Sequence, residues 1–321
     1  MLIPVLLFIV GLLFLIKGGD WFVDGASALA RRFHLPELLI GATVVSIGTT
    51  LPEVMVSTMS ALSGHGEIAY GNAIGSVICN AALIAAITIA VRPGKVGPKT
   101  LKTPVAFFFA AAAIYCIAAY VFGKFTRVMG FIMLAMFVAY MVVNVLQMKN
   151  APAVDAETSE EEEMSLARTL ILLVLGAVLI AVGANLLVDN GTLIAQALGV
   201  PESVIALTFV AALGTSLPEL VTAITSLAKG HSDLSLGNVV GANVFNLVLV
   251  SGVSVSLAPF TIPQNSTLFG INSSLVLELP VMLAVMLILT VPALVKGKLN
   301  RGQGILLLAI YAAFCVVQFT L

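Results

Sequence analysis

The chain has 321 residues, 60% of them hydrophobic and only 10% charged, at a mean hydropathy of +1.12. Water-soluble domains carry about 25% charged residues, so this composition belongs to a membrane protein. At about 20 residues per helical span, the length holds about ten spans, which excludes a large soluble catalytic or regulatory domain. A net charge of −1 with no basic tract excludes nucleic acid as an expected partner. Cys79, Cys116 and Cys315 fall in apolar runs without CxxC or CxxH spacing. They read as packing residues rather than a disulfide framework or a zinc site.

In chain order, the apolar runs predict spans at Leu2–Leu15, Leu38–Leu62, Ile68–Val91, Pro104–Phe122, Val128–Gln147, Leu166–Val188, Val204–Ala228, Leu236–Leu257, Leu275–Val295 and Ile305–Leu321. The first lacks a basic leading region and runs into Gly18-Gly19-Asp20, so it reads as a retained span rather than a cleaved signal. Of the 15 Lys and Arg, all but Lys124 and Arg127 lie in or beside the loops after odd-numbered spans. Basic loops stay in the cytoplasm, which predicts both termini on the outer side of the cell membrane. The stretch 148–165, with Asp155, Glu157 and Glu160 to Glu163, reads as an acidic cytoplasmic linker. A calcium sensor there would need an Asp/Asn/Gly ligand loop, which the run lacks.

The chain repeats itself. Gly18, Val23, Asp24, Ala30, Pro36, Glu37, Ile40 and Thr43 recur 165 residues later as Gly183, Val188, Asp189, Ala195, Pro201, Glu202, Ile205 and Thr208. From Gly48 onward the offset is 166, so that Gly48-Thr49-Thr50-Leu51-Pro52-Glu53 matches Gly214-Thr215-Ser216-Leu217-Pro218-Glu219, and Gly71, Asn72, Gly75 and Asn80 match Gly237, Asn238, Gly241 and Asn246. One residue is inserted between Thr208 and Gly214, which a π-bulge would absorb. Five spans per half give the two copies opposite orientations, an arrangement typical of secondary transporters with a shared site near the bilayer midplane. The halves divide as 1–147 and 166–321.

Glu53 and Glu219 fall well inside spans 2 and 7, where an ionised group is costly without a partner and no Lys or Arg is at hand. A cation or a proton must supply the charge. Two ionised carboxylates are neutralised by one Ca²⁺ and nearly balanced by two or three Na⁺. Pro52 and Pro218 free the carbonyls of Gly48 and Gly214, and such broken backbone is tolerated at this depth only beside a cavity. Thr49 shares a helix face with Glu53, as Thr215 does with Glu219. Spans 3 and 8 add polar stripes, Asn72, Ser76 and Asn80 in one and Asn238, Ala242 and Asn246 in the other. Donors that are all oxygen favour a hard cation such as Ca²⁺ or Na⁺ over zinc or copper. The competing reading has the hydroxyls and amides binding helices together with both glutamates protonated.

These paired motifs, GTTLPE and GTSLPE with the asparagine stripes that follow, resemble the cation/calcium exchanger (CaCA) family, and most closely its compact prokaryotic Na⁺/Ca²⁺ exchangers. The resemblance covers essentially the whole chain. It implies an all-α membrane protein of ten transmembrane helices in two inverted five-helix repeats. The implied activity is secondary antiport of Ca²⁺ and Na⁺ by alternating access, with no cofactor, no enzymatic activity and no obligatory protein partner beyond the lipid bilayer. The implied ligands are Glu53, Thr49, Thr50, Ser76, Asn80 and the Ser46 carbonyl from one half, and Glu219, Thr215, Ser216, Asn246 and the Ala212 carbonyl from the other. Spans 1 and 6 would slide across the remaining eight. Two positions depart from the family pattern: Ala242 where many relatives have Ser, and Asn246 where many have Asp. The first removes a hydroxyl from the implied Na⁺ site; the second leaves two central carboxylates. Ca²⁺/H⁺ exchange and K⁺-dependent Na⁺/Ca²⁺ exchange are the neighbouring alternatives.

Asp24 and Asp189, related by the repeat, read as mouth-lining or solvated span-end carboxylates. His65 and His231 read as turn residues, and Glu278 as structural or interfacial. An intramembrane hydrolase would need a second membrane aspartate in a matching motif, an HExxH site or a Ser/His pair within a span, and none is present. A passive cation channel shares the oxygen-lined site, but channels usually place the filter on an axis between subunits, whereas this repeat is internal.

Overall fold

In a computed structural model of the chain, residues 2–94, 97–150, 164–197, 215–264 and 267–320 are described. They form helices α1 (Leu2–Arg32), α2 (Glu37–Leu62), α3 (Gly66–Val91), α4 (Leu101–Phe122), α5 (Arg127–Asn150), α6 (Leu166–Ala197), α7 (Leu217–Ala228), α8 (Ser232–Leu257), α9 (Ser274–Lys296) and α10 (Arg301–Thr320). Nine of these described helices are long and apolar enough to cross a bilayer; α7 is shorter. Residues 204–214 of the expected seventh span lie outside the described residues, as do the inserted residue and most of the acidic linker.

The first expected span is corrected by the structure. It does not stop at Leu15 but continues unbroken to Arg32, so Lys17 lies within a helix rather than in a loop. Gly18-Gly19-Asp20 reads as a break only while its partners are unknown. A Cβ on Gly18 would meet the Gly176 carbonyl at 2.9 Å, and one on Gly19 would meet Thr225 Oγ1 at 2.7 Å. The glycines are contact surfaces against α6 and α7.

Helices α1 and α6 run antiparallel. Gly11 lies against Gly183, Gly18 against Gly176, and Gly25 against Thr169 and Leu173. Gly11 and Gly176 are repeat mates, as are Gly18 and Gly183, so the repeat exchanges one close contact for the other. That relation is what an approximate two-fold axis between inverted halves requires. Small residues let the backbones approach closely, which drives helix association where lipid is as apolar as the side chains.

A second close seam joins α2 to α8. A Cβ on Gly41 would fall 2.4 Å from the Leu234 carbonyl, and one on Gly237 would fall 2.3 Å from the Leu38 carbonyl. Both helices contain a π-helical turn, Gly41–Val45 in α2 and Asn246–Val250 in α8, and α3 has the repeat-related turn Asn80–Ile84. The first strand pair, β1 (Lys124–Phe125) with β2 (Phe260–Thr261), is antiparallel. It ties the α4–α5 connection to the α8–α9 connection, beside a cluster of Tyr70, Tyr115 and Phe125. Together these contacts hold α2, α3, α7 and α8 around a buried polar centre, with α1 and α6 across one side.

Candidate ion-binding site

Glu53 and Glu219 are both fully buried. Each faces hydroxyls of the opposite half: Thr215 stands against Glu53, and Thr49 and Thr50 stand against Glu219, with Thr50 Oγ1 3.5 Å from Glu219 Oε1. The threonines are held by the asparagine stripes. Thr215 donates to Asn72 Oδ1 at 2.9 Å, and Thr49 donates to Asn238 Oδ1 at 3.3 Å. These two bonds are mates under the repeat. Asn72 also donates to Ser57 Oγ at 2.8 Å and lies 3.4 Å from the Glu53 carbonyl. Ser46 Oγ bridges the Gly41 carbonyl at 2.8 Å and the Asn238 carbonyl at 3.0 Å, while the Ser46 carbonyl is 3.5 Å from the Thr49 hydroxyl.

Asn80 and Asn246 are fully buried at the first residue of their π-helical turns. A π-turn rotates the helix face by one residue and is common at functional sites. Ser76 and Ser216 are also buried. Thus Glu53, Glu219, Thr49, Thr50, Ser46, Ser76, Asn80, Ser216 and Asn246 are all buried, and Thr215 is joined to them through Asn72. Ala212 and Gly214 lie outside the described residues, and Pro218 occupies the first turn of α7.

The buried polar atoms without a hydrogen-bond partner include this group, along with atoms elsewhere such as Tyr70 Oη, Asn144 Oδ1 and Gln303 Oε1. Both carboxylate oxygens of Glu53, Oε2 of Glu219, and both side-chain ends of Asn80 and Asn246 are buried without a partner among the described residues. Each such atom costs about 1–3 kcal/mol, and native proteins contain few of them. Among the described residues, the ion pairs are His65–Glu67, Lys229 with Asp20 and Asp24, and His231–Glu37; none reaches the two buried glutamates. Oxygen donors in repeat-related pairs, two of them carboxylates, have the chemistry of a hard-cation ligand set.

The structure adds Asn72 and Asn238 to the site. Their step-of-four spacing marks them as polar stripe residues, but only the fold discloses that they orient the threonines of the opposite half. The Asp24 expectation is refined. Asp24 lies inside a continuous helix and takes the Lys229 ammonium at 2.7 Å, while Asp189 is exposed near the end of α6. Glu278 accepts from Gln318 at 3.2 Å and Ser274 at 3.1 Å, in keeping with a structural reading. His231 contacts Glu37 at 2.7 Å.

Comparison with known proteins agrees with this arrangement. The family model described as sodium/calcium exchanger protein matches residues 3–146 and 168–320. The sodium/calcium exchanger MaX1 of Methanosarcina acetivorans is 31% identical, with 98% of each chain covered. The inner membrane protein YrbG of Escherichia coli is 35% identical over 81% of each. A solved structure of the sodium-calcium exchanger NCX_Mj, soaked with 10 mM Na⁺ and zero Ca²⁺, superposes with a TM-score of 0.82 at 31% identity, covering 98% of both chains. A nearly all-helical membrane fold of inverted halves, a buried oxygen-lined centre between them and these matches across the chain lead to one conclusion: this transporter belongs to the sodium/calcium exchanger family.

Proposed function

We propose that the protein is an antiporter that carries Ca²⁺ one way across the cell membrane and Na⁺ the other, through alternating exposure of a single central site. The observation that carries this reading is the set of buried oxygens on Glu53, Glu219, Asn80 and Asn246 without a partner among the described residues, where no described Lys, Arg or His pairs with the two carboxylates. Ca²⁺ and Na⁺ compete for them. Glu53 and Glu219 supply the charge; Thr49, Thr50, Ser76, Asn80, Thr215, Ser216 and Asn246, with the carbonyls of Ser46 and Ala212, supply neutral oxygens. Because a vacated pair of carboxylates is costly to carry through the bilayer, the protein changes sides readily only when loaded. That condition couples the two fluxes.

In this reading the functional units are the halves 1–147 and 166–321, joined by the acidic linker 148–165, with both termini outside the cell. Helices α1 and α6 move as a pair over the other eight. The names of MaX1 and NCX_Mj as sodium/calcium exchangers support Na⁺ as the driving ion.

The test is radiolabelled Ca²⁺ uptake into proteoliposomes under imposed Na⁺, K⁺ and H⁺ gradients in turn. Uptake driven by internal Na⁺, and abolished when that Na⁺ is omitted, is expected. Uptake that follows only the H⁺ gradient would replace Na⁺ with protons as the driver, and uptake independent of any counter-ion would indicate a channel.

A further inference from the structure

The inverted halves are not packed alike. On one face α1 rests on α7: Gly19 abuts Val221 and Thr225, where a Cβ would come within 2.8 and 2.7 Å. Just past the end of α7, Lys229 Nζ reaches Asp24 Oδ1 at 2.7 Å, the Asp20 carbonyl at 3.1 Å and Asp20 Oδ1 at 3.5 Å. The repeat maps this seam onto Ala184, Asn185 and Asp189 of α6, opposite Met55, Met59 and Ser63 at the end of α2. There, among the described residues, no ion pair is made, although Ala184 is buried. Met55 is 63% and Met59 59% exposed, Asn185 and Asp189 are exposed, and Ser63 stands where the other half has a lysine.

The turn of α1 held by Lys229 also carries Phe22. Its ring fills the space beside Gly48, where a Cβ would meet Phe22 Cζ at 2.8 Å, and it walls a narrow cavity reaching Thr49, Pro52 and Pro218. Pinning this turn therefore keeps an aromatic side chain across the approach to the buried glutamates from the Lys229 face.

We propose that Lys229 is a positioning residue that sets the sidedness of exchange: its ion pair with Asp20 and Asp24 holds α1 against α7, closing the site toward the Lys229 face and favouring the state open to the other. The proposal rests on the alternating-access reading above. A partly exposed pair of this kind changes a two-state population by about two- to five-fold, enough to bias the cycle without locking it.

The test uses the full chain in proteoliposomes of determined orientation, with half-saturating Ca²⁺ measured separately on each face. Lys229→Met is expected to lower half-saturating Ca²⁺ on the Lys229 face about two- to five-fold and not on the other. Lys229→Arg should retain the original values, and the exchanged pair Asp24→Lys with Lys229→Asp should recover part of the bias. Ser63→Lys, which offers Asp189 the missing partner, should shift the faces in the opposite sense. Equal changes on both faces, or none, would overturn the proposal. If Lys229→Met does not insert, Ser63→Lys decides alone, and an unshifted result refutes it. Unmutated protein that exchanges Ca²⁺ for Na⁺ with unshifted variants refutes only the latch; unmutated protein that exchanges nothing refutes the transport reading and the latch with it.

Discussion

Glu53 and Glu219 bring two like charges together where no described Lys, Arg or His pairs with either. In such a place the ionised pair is stable only with a cation between its oxygens, so the carboxylates should matter more to the ion than to the fold. Glu53→Gln keeps the shape and removes one charge. Ca²⁺ uptake should fall at least about a hundred-fold, as expected when a buried charge partner is lost, while the purified variant melts in ion-free buffer no lower than the parent. Addition of Ca²⁺ should raise the melting temperature of the parent, since a ligand at a hundred times its Kd stabilises by about 2.7 kcal/mol, and leave that of Glu53→Gln unmoved. A Ca²⁺-dependent shift retained in the variant would show that the ion sits elsewhere. Asn72 and Asn238 act one step back, by fixing the hydroxyls of Thr215 and Thr49. Loss of such an outer partner typically weakens metal affinity 10- to 100-fold. Asn72→Ala and Asn238→Ala should therefore raise half-saturating Ca²⁺ by about ten-fold or more while leaving Glu53 and Glu219 in place; unchanged values in uptake assays would remove the asparagines from the site.

At the scale of helices, the α1–α6 pair is the element whose geometry most limits substitution. Each of Gly11 and Gly183 faces the other's carbonyl, with room for no side chain: a Cβ on either would lie 2.9 or 2.8 Å from that oxygen. Gly11→Val must push the helices apart or stop them sliding, at a cost of about 1–3 kcal/mol for overpacking. Its expected effect is on the maximal exchange rate, with half-saturating Ca²⁺ little changed, because the proposed ligands lie on α2, α3, α7 and α8 and at the residues leading into α7. A variant with raised half-saturation and an unchanged maximal rate would argue against α1 as a moving part. This helix also marks where sequence reading ends. Long apolar runs made most spans legible to within a few residues, and the duplicated GTTLPE and GTSLPE segments made Glu53 and Glu219 legible as a pair. Gly18-Gly19-Asp20 misled because glycine and aspartate look like a break until Gly176, Thr225 and Lys229, all more than 150 residues away, are brought beside them. The π-turns at Asn80 and Asn246 were equally hidden, since a single extra residue per turn leaves the apolar pattern of a span intact.

Across the whole molecule, the halves agree closely enough that each departure from symmetry isolates a physical variable. Glycine contacts on α1 and α6, the Thr49–Asn238 and Thr215–Asn72 bonds and the π-turns at Asn80 and Asn246 come in mates. Within the buried centre one mismatch is Ser76 against Ala242, both buried, so one half brings a hydroxyl where the other brings a methyl group. If Na⁺ is held by neutral oxygens flanking the two glutamates, the half containing Ala242 binds it less well, and Na⁺ rather than Ca²⁺ should be sensitive to this position. Ala242→Ser adds one oxygen at the matching place in α8. Half-saturating Na⁺ should fall about five- to ten-fold, the amount one added hydrogen-bonding or ligating group of roughly 1 kcal/mol provides. Half-saturating Ca²⁺, measured at fixed low Na⁺, should change less than two-fold. Both constants come from the same vesicles, so loss of folded protein cannot imitate the result. A fall in both together, or in Ca²⁺ alone, would mean that the methyl group faces the divalent ion and that Na⁺ relies on other oxygens between the halves.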